Sequence, residues 1–268
     1  MDKKIIFIDQ PRFLGDIIFV MAIAQKYVND GYLVEFPIDD QYLGPHGIQK
    51  YFPNVNLLRL SEYSNYYKYH NSKILEDATH KYFLLSDSTY RSVARKHMQG
   101  KYLFIGLNFE TWRTIKIARD YEMEEKLMSV VGVEKGEKFN LVNEYYSDEK
   151  IAKMRVVVDN NYRNIYMSKI PGFSIFDWMG LIEKAESIHT VHTALHYLLD
   201  IMPNITSNLH IYLRSGIYEP HSYYKDLFQK KYVYHGQKLN LLFEMIGYAR
   251  RIKRSYLSFF RSVGKGVN

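Results

Sequence analysis

The chain has 268 residues, 47% hydrophobic and 24% charged, enough for two small domains or one large one with an ordinary core. It contains no cysteine, which excludes a disulfide scaffold and a thiolate-bound metal and fits an intracellular protein. The formal net charge of +7 favours anionic ligands: nucleotide diphosphates, nucleic acid or acidic lipid.

Lys4 to Ile8 reads as a short buried strand. Met1-Asp2-Lys3-Lys4 runs straight into it, so this segment is not expected to act as a secretory signal. Gly15 to Asn29 is an amphipathic helix that stops at Asp30-Gly31. Tyr32 to Ile38 is a second strand, Pro45 to Tyr51 a short helix, and Val55 to Leu60 a third strand. Tyr82 to Leu85 and Tyr102 to Ile105 are further strand candidates, and Phe109 to Val131 reads as one long helix. Strands alternating with helices predict a parallel sheet with crossover helices.

Gly132 to Gly136, rich in glycine and charge, is the best linker candidate, and after it the pattern restarts. Phe139 to Tyr145, Met154 to Val158 and Asn164 to Met167 read as strands. Ser174 to Ala185 is a helix with Ser174 as N-cap and Asp177 three positions on, a capping arrangement. Ser187 to Val191 is a strand, Thr193 to Ile201 a helix and Leu209 to Leu213 a strand. Lys238 to about Phe260 reads as a terminal helix with a basic end. No apolar run approaches the roughly 20 residues that span a bilayer, and there is no internal repeat.

Two stretches carry chemistry. Phe13-Leu14-Gly15-Asp16-Ile17-Ile18 puts a carboxylate at the first strand-to-helix crossover, where open α/β sheets bind ligands. Asp16 either complements the helix dipole or acts as a general base, and the residue alone leaves both open. In His192-Thr193-Ala194-Leu195-His196, small residues open a helix whose free N–H groups suit a diphosphate, with His196 one turn further on facing the same mouth. Equally, Thr193 serves as a plain N-cap and His196 packs on the sheet. Lys169 to Ser174 is a loop that either contacts a nucleobase or is an ordinary Pro-Gly turn. The 25 tyrosines, including Tyr63, Tyr66, Tyr67 and Tyr69, suit sugar or base stacking but also ordinary strand and interface packing.

Together the two stretches resemble a known family. Ile5-Ile6-Phe7-Ile8 followed by Leu14-Gly15-Asp16-Ile17-Ile18 looks like the opening of the heptosyltransferase-like glycosyltransferases, family nine and relatives. Leu181 to Ile188, followed by His192-Thr193-Ala194-Leu195-His196-Tyr197-Leu198, looks like their donor-site signature: a strand, an acidic or polar residue, Thr or Ser, a small residue and a helical His. The resemblance implies an α/β protein with two Rossmann-like domains facing a cleft, the GT-B fold, in a compact version. Residues 1–132 would be the acceptor side, 138–245 the nucleotide-sugar side, and 246–268 a C-terminal helix and basic tail. It further implies inverting transfer from a nucleotide-diphosphate sugar to a hydroxyl of a glycan, glycolipid or glycoprotein. Asp16 matches the catalytic base, and Thr193, Ala194 and His196 match the diphosphate-binding positions. Gly15, Lys169, His192 and Leu195 complete the expected donor site. His192 stands where heptosyltransferases usually carry Asp, so the reaction class is transferred and the sugar is not.

There is no Asp-X-Asp triplet, the usual metal holder of GT-A enzymes; Ile38-Asp39-Asp40-Gln41 and Leu85-Ser86-Asp87-Ser88 come closest. The expectation is therefore no metal and no cofactor beyond the co-substrate, the leaving diphosphate being stabilised by helix N-termini and basic side chains such as Arg12, Lys169 and Arg214. His192 and His196 are four apart, without an acidic third ligand nearby in sequence. P-loop and dinucleotide fingerprints are absent. The competing readings are a nucleotide-sugar epimerase or phosphorylase-like protein of similar fold, and a nucleic-acid-binding module, for which charge speaks but no motif does. Nucleic acid is not an expected partner, and the expected location is cytoplasmic. The tail from Tyr248 to Lys265, with Arg250, Arg251, Lys253, Arg254 and Arg261, either lies on an anionic membrane or closes the fold.

Overall fold

A computed structural model describes residues 4–44, 46–64, 79–85, 97–146, 152–158, 161–213 and 226–235. In the first half, β1 (Ile5–Ile8), β2 (Leu33–Ile38), β3 (Leu57–Arg59) and β4 (His80–Phe83) form a parallel sheet in the order β3-β2-β1-β4. Strand alternation sends Ile6 and Ile8 into the main core and Phe7 to the opposite face, against Tyr82 and Leu84. After β1 comes α1 (Leu14–Asn29), buried without a break from Ile17 to Gln25. It ends as its sequence predicts, with the Asp30 N–H bonded to the Lys26 carbonyl and Gly31 at φ +87°.

The second half begins at β5 (Phe139–Asn143). A small antiparallel pair, β6 (Tyr145–Tyr146) and β7 (Ala152–Lys153), follows. β8 (Arg163–Tyr166), β9 (Ser187–Val191), β10 (Asn208–Tyr212) and β11 (Tyr232–His235) then join β5 in a parallel sheet ordered β11-β10-β9-β5-β8. The remaining helices are α2 (His97–Phe104), α3 (Tyr121–Val130), α4 (Met179–Lys184) and α5 (Ala194–Ile201). Two Rossmann-like parallel sheets are thus present, as expected of a GT-B architecture.

Topology fixes where ligands belong. In the first sheet the order reverses between β1 and β4, and in the second between β5 and β9. Open α/β sheets bind ligands beyond the carboxyl ends of strands at such reversals. One continuous apolar cluster joins the halves, running from Ile6 in β1 through Phe19, Trp112 and Tyr197 to Phe228. α1 packs on α5, and α3 packs on α4 and the 3₁₀ turn Ile175–Trp178.

Several expectations need correction. Tyr102 to Ile105 is not a strand: Tyr102 to Phe104 end α2 and Ile105 lies in the turn that follows. Met98 and Tyr102 are buried while Leu103 is exposed, a helical spacing hidden inside a short apolar run. Phe109 to Val131 is not one helix. A 3₁₀ segment, Phe109–Thr114, is followed by extended chain that clamps the Gln25 amide: Gln25 Nε2 donates to the Lys116 carbonyl at 2.7 Å and the Lys116 N–H donates to Gln25 Oε1 at 2.8 Å. Asp120 then caps a new helix by accepting from the Met123 N–H. Met154 to Val158 is not a strand, its N–H groups at Met154 and Val156 turning to the backbone and side chain of Glu144. The expected helix at 45–51 is a 3₁₀ turn, Ile48–Tyr51, and β11 had no counterpart in the sequence reading. The terminal helix and the basic tail lie outside the described residues, as do Tyr66, Tyr67, Tyr69 and Arg214.

Candidate functional site

The first mouth lies where β1 ends. Asp9 continues the pairing, its N–H reaching the Phe83 carbonyl at 2.9 Å, so the chain leaves the sheet beside the end of β4. The turn into α1 passes through Phe13 at φ +65° and ψ +97°, a conformation rarely adopted by a bulky residue. Such outliers cost roughly 1–3 kcal/mol and concentrate at functional sites. Phe13 is 55% exposed, so burial of its ring does not offset that cost.

Asp16 stands in the first turn of α1 and is not left as a simple dipole partner. Lys101 of α2, 1% exposed at its side chain, places Nζ 2.7 Å from Asp16 Oδ1. The same ammonium donates to Gln10 Oε1, and the Gln10 amide is turned that way because its Nε2 donates to the Arg12 carbonyl at 2.9 Å. Asp16 Oδ2 has no hydrogen bond among the described residues, and the side chain is 27% exposed. One oxygen is held by the buried ammonium, and the other is not. Arg12 itself is exposed, 4.0 Å from Asp39.

The second mouth lies where β9 ends, beside β5. Thr193 is the N-cap of α5, its hydroxyl accepting from the Leu195 N–H at 3.3 Å. The cap leaves the Ala194 N–H unbonded among the described residues. Asn143, the last residue of β5, donates to Thr190 Oγ1 at 2.9 Å and approaches Thr193 Oγ1 at 3.5 Å. His192 is buried, and its Nδ1 lies 2.9 Å from His196 Nδ1.

His196 does not face this mouth. It has no exposed surface, because α5 is buried on all sides from Leu195 to Asp200. Its ring stacks on Phe228 at 3.6 Å between centroids and meets Tyr232 edge-on. Burial, and then the neighbouring His192, hold its pKa well below 6.5, so it is a neutral imidazole. Leu195 is likewise in the core. Lys169 is exposed on the loop after β8, and Gly172 of that loop comes near His46 of the first half, at 3.8 Å from a constructed Cβ.

The two mouths meet. A Cβ on Gly15 would lie 3.4 Å from the Ala194 Cα and 3.2 Å from the Tyr197 ring, so the N-terminal turns of α1 and α5 touch across the interface. Asp16 and Thr193 are the chain neighbours of that contact. Gly15 is thereby placed as a packing residue, its missing side chain permitting the approach. Lys101, Gln10 and Asn143 carry no signal in the sequence that marks them as site residues. Lys101 immediately precedes the expected strand Tyr102 to Ile105, whereas Met98-x-x-Lys101-Tyr102 on a helix puts the lysine next to the buried face. Asn143 required knowing which strands flank the reversal.

Among the described residues no group of three or more His, Asp or Glu is arranged to hold a metal ion, and no helix is long and apolar enough to cross a membrane. The sequence matches no family model and no curated protein. Among solved structures, the glycosyl transferase family 9 from Veillonella parvula is similar, with a TM-score of 0.45 and 11% identity over 93% of this chain and 90% of that one.

Proposed function

We propose that this protein is an inverting, metal-independent glycosyltransferase that moves a sugar from a nucleotide-diphosphate donor to a hydroxyl of a glycan, glycolipid or glycoprotein. The observation that carries the reading is the meeting of the two sheet reversals through Gly15 and Ala194, with Asp16 on one side and Thr193 on the other. The sequence resemblance, drawn from those same two stretches, supports it.

In this mechanism the Asp16 oxygen not bound by Lys101 takes the proton of the acceptor hydroxyl. The acceptor oxygen attacks the anomeric carbon from the face opposite the diphosphate, which inverts the centre. Charge growing on the leaving diphosphate is met by the N-terminus of α5, by the Ala194 N–H and the Thr193 hydroxyl, with the exposed Arg12 and Lys169 as the candidate cations. Neutral His196 takes no direct part; it backs His192 at the lip of the helix. Metal independence rests on the missing Asp-X-Asp triplet and on this set of donors.

Calorimetric titration with UDP, GDP, ADP and dTDP, each with and without EDTA, tests the reading against single-stranded oligonucleotides as the alternative ligand. Micromolar binding of one nucleoside diphosphate that survives EDTA is expected. Oligonucleotide binding alone, or diphosphate binding that requires added Mn²⁺ or Mg²⁺, overturns it.

A further inference from the structure

We infer that Lys101 is the positioning residue of the catalytic base, an inference that rests on the reading of Asp16 as that base. Lysine is among the residues least often fully buried, and it is buried when paired. Here the side chain is 1% exposed and its ammonium is paired with a carboxylate whose own side chain reaches solvent. A surface ion pair contributes little and is easily exchanged, but this one is anchored from below. The ammonium is also held by Gln10, whose amide is fixed by the Arg12 carbonyl within the same turn that carries Phe13 at positive φ.

The consequence is directional. Lys101 occupies Asp16 Oδ1 and leaves Oδ2, on a side chain that is 27% exposed, available to a substrate. A carboxylate on a short side chain otherwise rotates about its last torsion, which is broad and roughly two-fold. Fixing one oxygen from the buried side sets the direction of the other, the condition under which a base is already aimed when the acceptor arrives. Lys101 touches neither substrate in this arrangement; it acts through Asp16.

The test uses the full chain and whichever of UDP-glucose, GDP-mannose or ADP-glucose it turns over, followed by release of the nucleoside diphosphate. Lys101→Met keeps the buried stem and removes the ammonium. It is expected to lower kcat at least tenfold with donor KM within twofold of wild type. Lys101→Arg, which retains a donor in the same place, is expected to recover part of the loss. In an Asp16→Asn background, Lys101→Met is expected to change kcat by less than twofold, because there is no base left to aim. Equal fractional losses in both backgrounds, or a loss confined to KM, overturn the assignment and make Lys101 merely structural. If Asp16→Asn alone retains normal turnover, the base reading fails and the positioning role with it. If Asp16→Asn is inactive while Lys101→Met is silent, the base stands and only the positioning role falls. Melting curves of each variant show that the losses come from folded protein.

Discussion

The mouths at the ends of β1 and β9 hold equivalent topological positions, each at a strand-order reversal and each opening a helix, yet their chemistry differs. The first is built around charge: Asp16 on a buried lysine, with a strained turn above it. The second is built from hydroxyls, an amide and an imidazole: Thr193, Thr190, Asn143 and His192, with His196 buried behind it. A carboxylate fits proton abstraction, and would repel a diphosphate. A helix N-terminus capped by a hydroxyl fits an anion, and offers no base. The same crossover geometry is thus equipped for two halves of one reaction, and each half can be broken separately.

The largest expected effect is at the charged mouth. Asp16→Asn keeps an oxygen that accepts from Lys101 and removes the capacity to take a proton. Turnover should fall on the order of a hundredfold or more, the usual range for a general base, while nucleoside diphosphate affinity stays the same. Both variants remove the carboxylate charge, but Asp16→Leu also removes the oxygen that accepts from Lys101. A hydrogen bond to a charged group contributes about 1.5–3 kcal/mol, so this variant should melt below Asp16→Asn. Equal melting temperatures for the two would show that the Lys101–Asp16 hydrogen bond contributes nothing to the fold.

At the neutral mouth, Thr193→Glu should leave the fold intact, since an acidic residue is tolerated at a helix N-terminus. Its carboxylate would sit where the diphosphate has to sit. Calorimetry should show nucleoside diphosphate binding lost, by a hundredfold or more in Kd. Retained affinity would move the donor site away from α5.

His196 separates stability from binding. His196→Ala opens a cavity beneath Phe228, and large buried side chains cut back to alanine cost roughly 2–5 kcal/mol. The melting temperature should fall without a selective loss of donor affinity. The imidazole also links stability to pH. It is kept neutral in the folded protein by burial and then by His192. In the unfolded chain it takes up a proton below about pH 6.5. The unfolded state therefore binds more protons in that range, and stability falls as pH drops below about 6.5, by at most about 1.4 kcal/mol per pH unit for each such site. His189, pushed down to about 4 by burial and by His210 and His235, adds the same sign over the same window. Melting curves at pH 7.5 and 5.5 should show the drop, and His196→Phe should reduce it. A melting temperature unchanged between the two pH values would contradict the buried neutral state.

Most strands and the two mouths were legible in the sequence because their signals are local: a short apolar run, then a glycine or a capping hydroxyl. Ser174 with Asp177 was read as a capping pair and forms a full capping box. What stayed hidden depends on partners far along the chain. Gln25 breaks the expected long helix by bonding to Lys116, and nothing near either residue announces it. Lys101 reaches Asp16 across the first half. His196 was expected at the mouth because a residue one turn into a helix usually shares the face of its cap. That rule fails here because Phe228, Tyr232 and Tyr234, from the end of the same half, close over the ring.

The smallest effect probes the contact that brings the mouths together. In Gly15→Ala the new methyl would lie 3.2 Å from two Tyr197 ring carbons and 3.4 Å from the Ala194 Cα. The ring cannot simply step aside, because Phe19, Trp112 and Phe228 meet it edge-on with centroids at 5.9, 6.2 and 5.2 Å. Overpacking of this kind costs about 1–3 kcal/mol, offset by roughly 0.5–1 kcal/mol from replacing glycine inside a helix. A net loss of about 1 kcal/mol is expected, visible as a small drop in melting temperature. The functional signature should be sharper than the stability change. Each mouth keeps its own residues, so nucleoside diphosphate binding should persist. The spacing between Asp16 and Thr193 opens by the few tenths of an ångström the methyl demands, so transfer should fall severalfold. If Gly15→Ala transfers sugar at the wild-type rate and melts no lower, the close approach of α1 to α5 is incidental, and the two mouths need not work as one site.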